Sequence, residues 1–360
     1  MLEYIRPASL KLGDKLGRTI YNTQGNVLIK AGISLTDNMI KTIQTQGYKG
    51  VYIDRVENAE RESIRIQEPI IDDYTTIKVI SIISRILKNK NIYTNAWDNS
   101  FTKDRQQLEE YINEFYKLFK EKNIKKQLIF EMEDSRNNDN WVEYHSFNTM
   151  QLAMAIAMRM GYPETEVKGI AAAGLMHDIG KGKYPELINK KDLTEAEKNL
   201  LRTHPRTIFE VLTGLSGIFA SNACTYGCCQ SHELYDGSGY PMGLSGSKIT
   251  TYGYIVGAAN RFDDLIHKTP FNDEPMNNDE ALEYLMGSNL YQVEVIKALT
   301  EVVSVYPVGT KTRLSNGQEG LVESNNMSLP LRPNIVIGYK RVNLASDEEY
   351  RNVTVQEVIS

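Results

Sequence analysis

Two short stretches of this 360-residue chain, LMHDIGKGKYP and SHELYDGSGYP, carry residue types that hold metal ions. His177 and Asp178 stand in the first, His232 and Glu233 in the second. Two further histidines, His145 and His204, fall in neighbouring helical patterns, and the fifth, His267, sits beside Lys268 in a loop-like stretch. Imidazole and carboxylate together suit iron, manganese or zinc. An aspartate between two ions can bridge them, and a shared water whose pKa is lowered towards about 7 can attack a phosphodiester. A lone histidine on a helix is more often a packed core or surface residue, and His267 is read that way. Four in one helical region, with an adjacent His-Asp pair that would need two sets of partners if buried without metal, favour a metal site.

The elements that must position these residues are mostly helical. His145 opens the pattern YHSFNTMQLAMAIAMRMG, and His177 and Asp178 end the apolar run VKGIAAAGLMHDIG. His204 is expected at the end of LTEAEKNLLRTHP, which starts with a Thr194/Glu197 capping box and is stopped by Pro205. His232 is expected inside the helix SNACTYGCCQSHEL, just before the Gly-rich turn DGSGYP. Helix ends are where side chains from several helices can converge.

Outside this region the pattern changes. Residues 1–55 read as a small α+β module, with a hairpin over RTIYNTQGNVLIK, a short helix over SLTDNMIKTIQTQG and a closing strand at YKGVYI. Residues 56–140 read as a charged linker followed by two amphipathic helices, which pack within the chain or form a homodimer through 74–130. Residues 141–304 form the helical metal domain, and 305–360 a β-rich tail of short runs punctuated by Gly, Pro and Asn. The fold class is therefore mainly α.

Composition narrows the function. Hydrophobic residues make up 41% and charged residues 24%, as in a globular protein, and the net charge of -5 gives no general attraction to nucleic acid polymers or anionic lipid. No apolar run suits a signal peptide or a membrane span, and Cys224, Cys228 and Cys229 make no disulfide framework. A cytoplasmic setting is expected.

HDIGK followed by HELYDGSGYP, with an upstream histidine and an intervening HP, resembles the HD-GYP branch of the HD phosphohydrolase superfamily over roughly residues 141–300. The resemblance implies an all-helical domain that hydrolyses cyclic di-GMP to pGpG or GMP with two or three metal ions, often iron or manganese. On it, His145, His177, Asp178, His204 and His232 match metal-ligand positions. Asp178 and Lys181 match catalytic ones, with the lysine contacting phosphate or protonating the leaving oxygen. Gly239 and Tyr240 belong to the GYP signature on the substrate side of the pocket.

Departures from the pattern limit this. Ser231 stands where the family has a ligand histidine, Asn260 where it has a ligand aspartate, and Trp141 where a third-metal glutamate occurs. Two divalent ions are the upper limit, with one a second outcome. An Asn260 oxygen can still coordinate a cation, but carries no charge. Cys228 could supply a thiolate, although small-residue packing suits Cys224 and Cys228 better. Thr269 and Asn272 replace phosphate-binding Arg and Lys, leaving Arg261 and Lys268 as nearby cations. Each lost guanidinium removes charge-assisted bonds of about 1.5–3 kcal/mol. Three functions stay open: a working cyclic di-GMP phosphodiesterase, a degenerate nucleotide receptor or protein-interaction scaffold, and a phosphoesterase of another substrate.

Overall fold

The computed structural model describes residues 2–21, 27–45, 48, 50–54, 70–94, 98–123, 140–326 and 328–359. The charged segment 55–69 and the turn formers at 133–139 lie outside the described residues. Two compact units emerge, one from the described parts of 1–54 and 303–359, the other from those of 70–123 and 140–302.

In the first unit, β1 (Leu2–Ile5) pairs antiparallel with β4 (Val51–Asp54), and β2 (Ile20–Tyr21) with β3 (Val27–Ile29), as the hairpin pattern predicts. Helix α1 (Asp37–Thr45) buries Ile40 and Ile43 against Leu16, Leu35 and Ile53. Strands β5 (Lys311–Leu314), β6 (Glu319–Ser324), β7 (Asn334–Ile337), β8 (Lys340–Asn343) and β9 (Val355–Val358) form an antiparallel sheet in the order β8-β7-β6-β5-β9. The first strand meets the start of the β-rich tail in this unit, where Tyr4 bridges Thr310 and its N–H donates to the Gly309 carbonyl at 3.4 Å.

The second unit is helical. It comprises α2 (Asp73–Lys88), α3 (Asn99–Glu121), α4 (Trp141–Arg159), α5 (Glu164–Met176), α6 (Pro185–Ile188), α7 (Glu195–Leu201) and α8 (His204–Leu212). It continues with α9 (Asn222–Gln230), α10 (Thr251–Ile266), α11 (Asn278–Ser288) and α12 (Val293–Val302). Helix α4 is buried on nearly every side, because Met150, Leu152, Ala153, Met154, Ala155 and Ile156 leave it no polar face, and it becomes the axis of the unit. Gly174 lets α5 cross it closely, since a Cβ there would lie 2.8 Å from the Met150 Cα. The apolar stripes of α2 and α3, including Val79, Ile83, Leu108, Ile112 and Phe115, are buried by packing within the chain. No helix among the described residues is long and apolar enough to cross a membrane.

Two local expectations are corrected. His204 does not end a helix: α7 stops at Leu201 behind its Thr194/Glu197 capping box, and His204 opens α8 with Pro205 in its first turn. Proline lacks only an N–H that a first turn leaves without a helical partner, so it starts this helix. His232 likewise lies beyond α9, which ends at Gln230 with Ser231 as its C-cap.

Candidate metal centre

Five elements bring the expected ligands together. His145 comes from the second turn of α4, and His177 caps the C-terminus of α5 with Asp178 next to it. His204 comes from the start of α8, His232 from the turn after α9, and Asn260 from α10. His145, His177, Asp178 and His204 are all at most 1% exposed. Two groups of three have ligand atoms within 4.8 Å of one another: His145, His177 and Asp178, and Asp178, His204 and His232. Asp178 belongs to both.

The hydrogen bonds behind the rings fix their orientation. His177 Nδ1 donates to the Gly174 carbonyl at 2.8 Å, and His204 Nδ1 to the Leu201 carbonyl at 2.7 Å. His145 Nδ1 donates to Asp263 Oδ2 at 2.7 Å. A carbonyl can only accept, so the proton of neutral His177 and His204 sits on Nδ1 and the Nε2 lone pair points inward. With the proton on Nδ1, the inner Nε2 atoms of His145 and His177 face another acceptor, Asn260 Oδ1, at 2.8 and 3.3 Å, and His204 Nε2 lies 2.9 Å from His232 Nε2. Asp178 Oδ1, wholly buried, has no aligned hydrogen-bond donor, although Nε2 of His204, His177 and His232 lie 3.2, 3.5 and 3.7 Å away. A divalent cation satisfies such a set of converging lone pairs, and the residues present fit one.

The charges agree with this. Burial opposes ionisation of Asp178, but the Lys181 ammonium at 2.5 Å outweighs it, helped by His177, and holds the carboxyl well below the usual carboxylate range. Burial drives His177 down to about 4 and also lowers His204 and His232, which keeps these imidazoles neutral. His145 differs: burial lowers it, but the carboxylates of Asp264 and Asp263 outweigh burial and raise its affinity for a proton or a cation.

Residues 121–291 match the HD domain family. Over 206 residues the chain is 30% identical to a cyclic di-GMP phosphodiesterase of Pseudomonas aeruginosa, covering 56% of this chain and 49% of that one. It is 38% identical over 152 residues to the cyclic di-GMP phosphodiesterase response regulator RpfG of Xanthomonas campestris pv. campestris, covering 41% and 40%. It is 31% identical over 243 residues to a cyclic di-GMP phosphodiesterase of Thermotoga maritima, covering 62% and 63%. The helical unit carries an HD domain. The matches span between 40% and 63% of the lengths of these relatives.

Around this centre lies a cleft of about 570 Å³. Trp141, Lys181, Tyr240, Asn260 and Arg261 line it. Lys268 is exposed and does not line it. Gly239 supports the GYP turn from behind: a Cβ there would meet the His232 carbonyl and the Leu234 nitrogen at 2.5 Å. Glu233 faces away from the centre and accepts the N–H groups of Met242 and Leu244 at 2.7 and 2.8 Å, tying that same turn to α9. The Tyr240–Pro241 peptide is cis.

The departures have structural occupations of their own. Ser231 Oγ donates to the Cys228 carbonyl at 3.0 Å, finishing α9. Asn272 Nδ2 donates to the carbonyls of Asp264 and His267 at 2.8 and 3.1 Å and so caps α10. Cys228 points its thiol at the Ala173 carbonyl at 3.5 Å, and burial pushes its pKa well up, as packing requires.

Sequence reading missed the support of His145. The Asp263 carboxylate accepts from His145 and from Asn148 at 3.0 Å, and its backbone carbonyl from His267 Nδ1 at 3.1 Å, so His267, just past the end of α10, is a buried, packed residue. Asn260 and Asp263 stand one helical turn apart on α10 and reach the two ring nitrogens of one histidine. That three-residue spacing was the available signal. Asp263→Asn is expected to weaken metal binding by roughly ten- to hundredfold, as loss of such a supporting carboxylate does, measured by competition with a chromophoric chelator.

Proposed function

We propose that the helical unit is a metal-dependent phosphodiesterase acting on cyclic di-GMP. The observation that carries this is Asp178, one carboxylate shared by two clusters. His145 and His177 with Asp178 would hold one divalent ion, and His204 and His232 with Asp178 a second. Asn260 would be an uncharged ligand of the first. This donor set suits iron or manganese, with zinc an alternative. Two such ions would supply Lewis-acid activation of water and of the phosphodiester.

The chain's own residues do the rest. Asp178 stays ionised at neutral pH because Lys181 compensates its burial. Lys181 holds its ammonium proton beside Asp178 and over the Trp141 ring at 5.1 Å, on the cleft side, where it can protonate a leaving oxygen. Tyr240 and Arg261 flank the substrate. The three relatives, each named a cyclic di-GMP phosphodiesterase, support cyclic di-GMP as the substrate. Three free cysteines suit a reducing, cytoplasmic setting.

Turnover tests this. Protein loaded without oxygen with ferrous iron or manganese is expected to convert cyclic di-GMP to pGpG or GMP, and Asp178→Ala to yield none. Intact cyclic di-GMP in both cases would favour a nucleotide receptor or scaffold, for which the uncharged Ser231, Asn260, Thr269 and Asn272 speak. Asn260→Asp restores a negative charge beside His145 and His177 and is expected to tighten divalent-ion binding by roughly tenfold or more, even at a high effective dielectric. Calorimetric titration with manganese reads this directly.

A further inference from the structure

The cleft carries cations that differ in what they already hold. Lys181 is engaged by Asp178 at 2.5 Å and Lys198 by Glu195 at 2.7 Å. Arg202 and Arg261 make no ion pair among the described residues, and each guanidinium lies 5.7 Å from a tyrosine ring, Tyr240 for Arg202 and Tyr284 for Arg261. Arg202 has a further relation to the centre. Tyr240 stacks on the His232 ring, with centroids 4.7 Å apart and planes within 8°. The Arg202 guanidinium approaches the same Tyr240 ring, so Tyr240 contacts both His232 and Arg202.

His232 directs its Nε2 to Asp178, whereas Arg202 is exposed and lines the cleft. Arg202 relates to the centre through Tyr240, and no ion pair or hydrogen bond of the described residues joins it to the histidines or Asp178. A second anionic group on a molecule held at the centre could reach it. Stacking leaves the edge of a guanidinium available for bidentate bonds to phosphate oxygens. Arg202 comes directly after α7 and lies outside both HDIGK and the GYP turn.

We propose that Arg202, positioned by Tyr240, forms a second-phosphate subsite that selects cyclic dinucleotides, with their two phosphodiesters, over substrates that carry one. This rests on the phosphodiesterase reading of the centre. The subsite raises affinity for the dinucleotide without touching the phosphate under attack, so it acts through KM and not kcat.

The test uses the manganese-loaded full chain and Arg202→Ala, an exposed position that the fold tolerates. Two substrates are compared, cyclic di-GMP and the single diester bis(p-nitrophenyl) phosphate. Arg202→Ala is expected to raise KM for cyclic di-GMP by roughly ten- to hundredfold, the worth of a charge-assisted bond pair, with kcat held and the single diester unaffected. Equal losses on both substrates, or none on either, would overturn the subsite. Equilibrium binding of cyclic di-GMP in the presence of chelator separates the two readings. Binding that Arg202→Ala weakens as strongly, in a wild-type protein that turns nothing over, keeps the subsite and removes the hydrolase. A wild-type protein that binds no cyclic di-GMP under either condition removes the subsite.

Discussion

Asp178→Ala is expected to disable both candidate metal groups at once. The carboxylate is the one anionic member of each group of three, and its removal leaves only imidazoles and the Asn260 amide around any cation. Loss of an outer supporting group already costs ten- to hundredfold in metal affinity, so loss of a shared ligand should cost more than about a hundredfold for each ion. Lys181 adds to the effect, because its ammonium now faces the centre without its partner and repels a cation. Metal content after dialysis is expected to fall well below that of the unaltered protein, together with any turnover. His145→Ala should leave the cluster of Asp178, His204 and His232 partly filled. Full metal retention in Asp178→Ala would show that the two groups do not share this residue.

Gly180→Ala should damage the same centre without touching a ligand. A Cβ on Gly180 would lie 2.3 Å from the His204 carbonyl oxygen and 3.0 Å from its carbon, both backbone atoms. To reach ordinary contact the start of α8 must retreat from the HDIGK turn by about an ångström. Overpacking of this sort costs about 1–3 kcal/mol, and the upper end applies where the obstacle is backbone. A misplacement of about 1 Å at reacting groups costs on the order of a hundredfold in rate. Thermal unfolding in the presence of chelator isolates the packing effect, and manganese titration reads the displaced ligand. Gly287→Ala, in exposed helix with nothing within 4 Å of the new carbon, is the control and should gain up to about 1 kcal/mol.

The cluster that the fold gathers was legible because metal-binding chemistry is restricted to few residue types, and a chain with five histidines leaves few ways to assemble one. Helices were legible where one stripe is apolar, as in α2 and α3. Helix ends were harder: a proline such as Pro205 suits the residue after one helix and the first turn of the next, and here it serves the second. The support of His145 by Asp263 and His267 was hidden, because an aspartate on a helix looks the same whether it meets water or a buried ring. The joining of the first strand to the tail was hidden too. It rests on backbone contacts of Tyr4 with Gly309 and Thr310, which no side-chain pattern announces.

Helix α2 and the short 3₁₀ turn Lys90–Thr94 contain none of the ligands, yet they touch the motif that does. The Tyr93 hydroxyl donates to the Ile179 carbonyl at 2.7 Å, and a Cβ on Gly182 would lie 2.1 Å from the Leu87 carbonyl oxygen. The HDIGK segment is thus moulded against a wall supplied from before residue 95. Cutting the chain at residue 140 would keep every ligand and discard the mould. The smallest piece that can be excised, or exchanged with another protein as a module, begins ahead of α2.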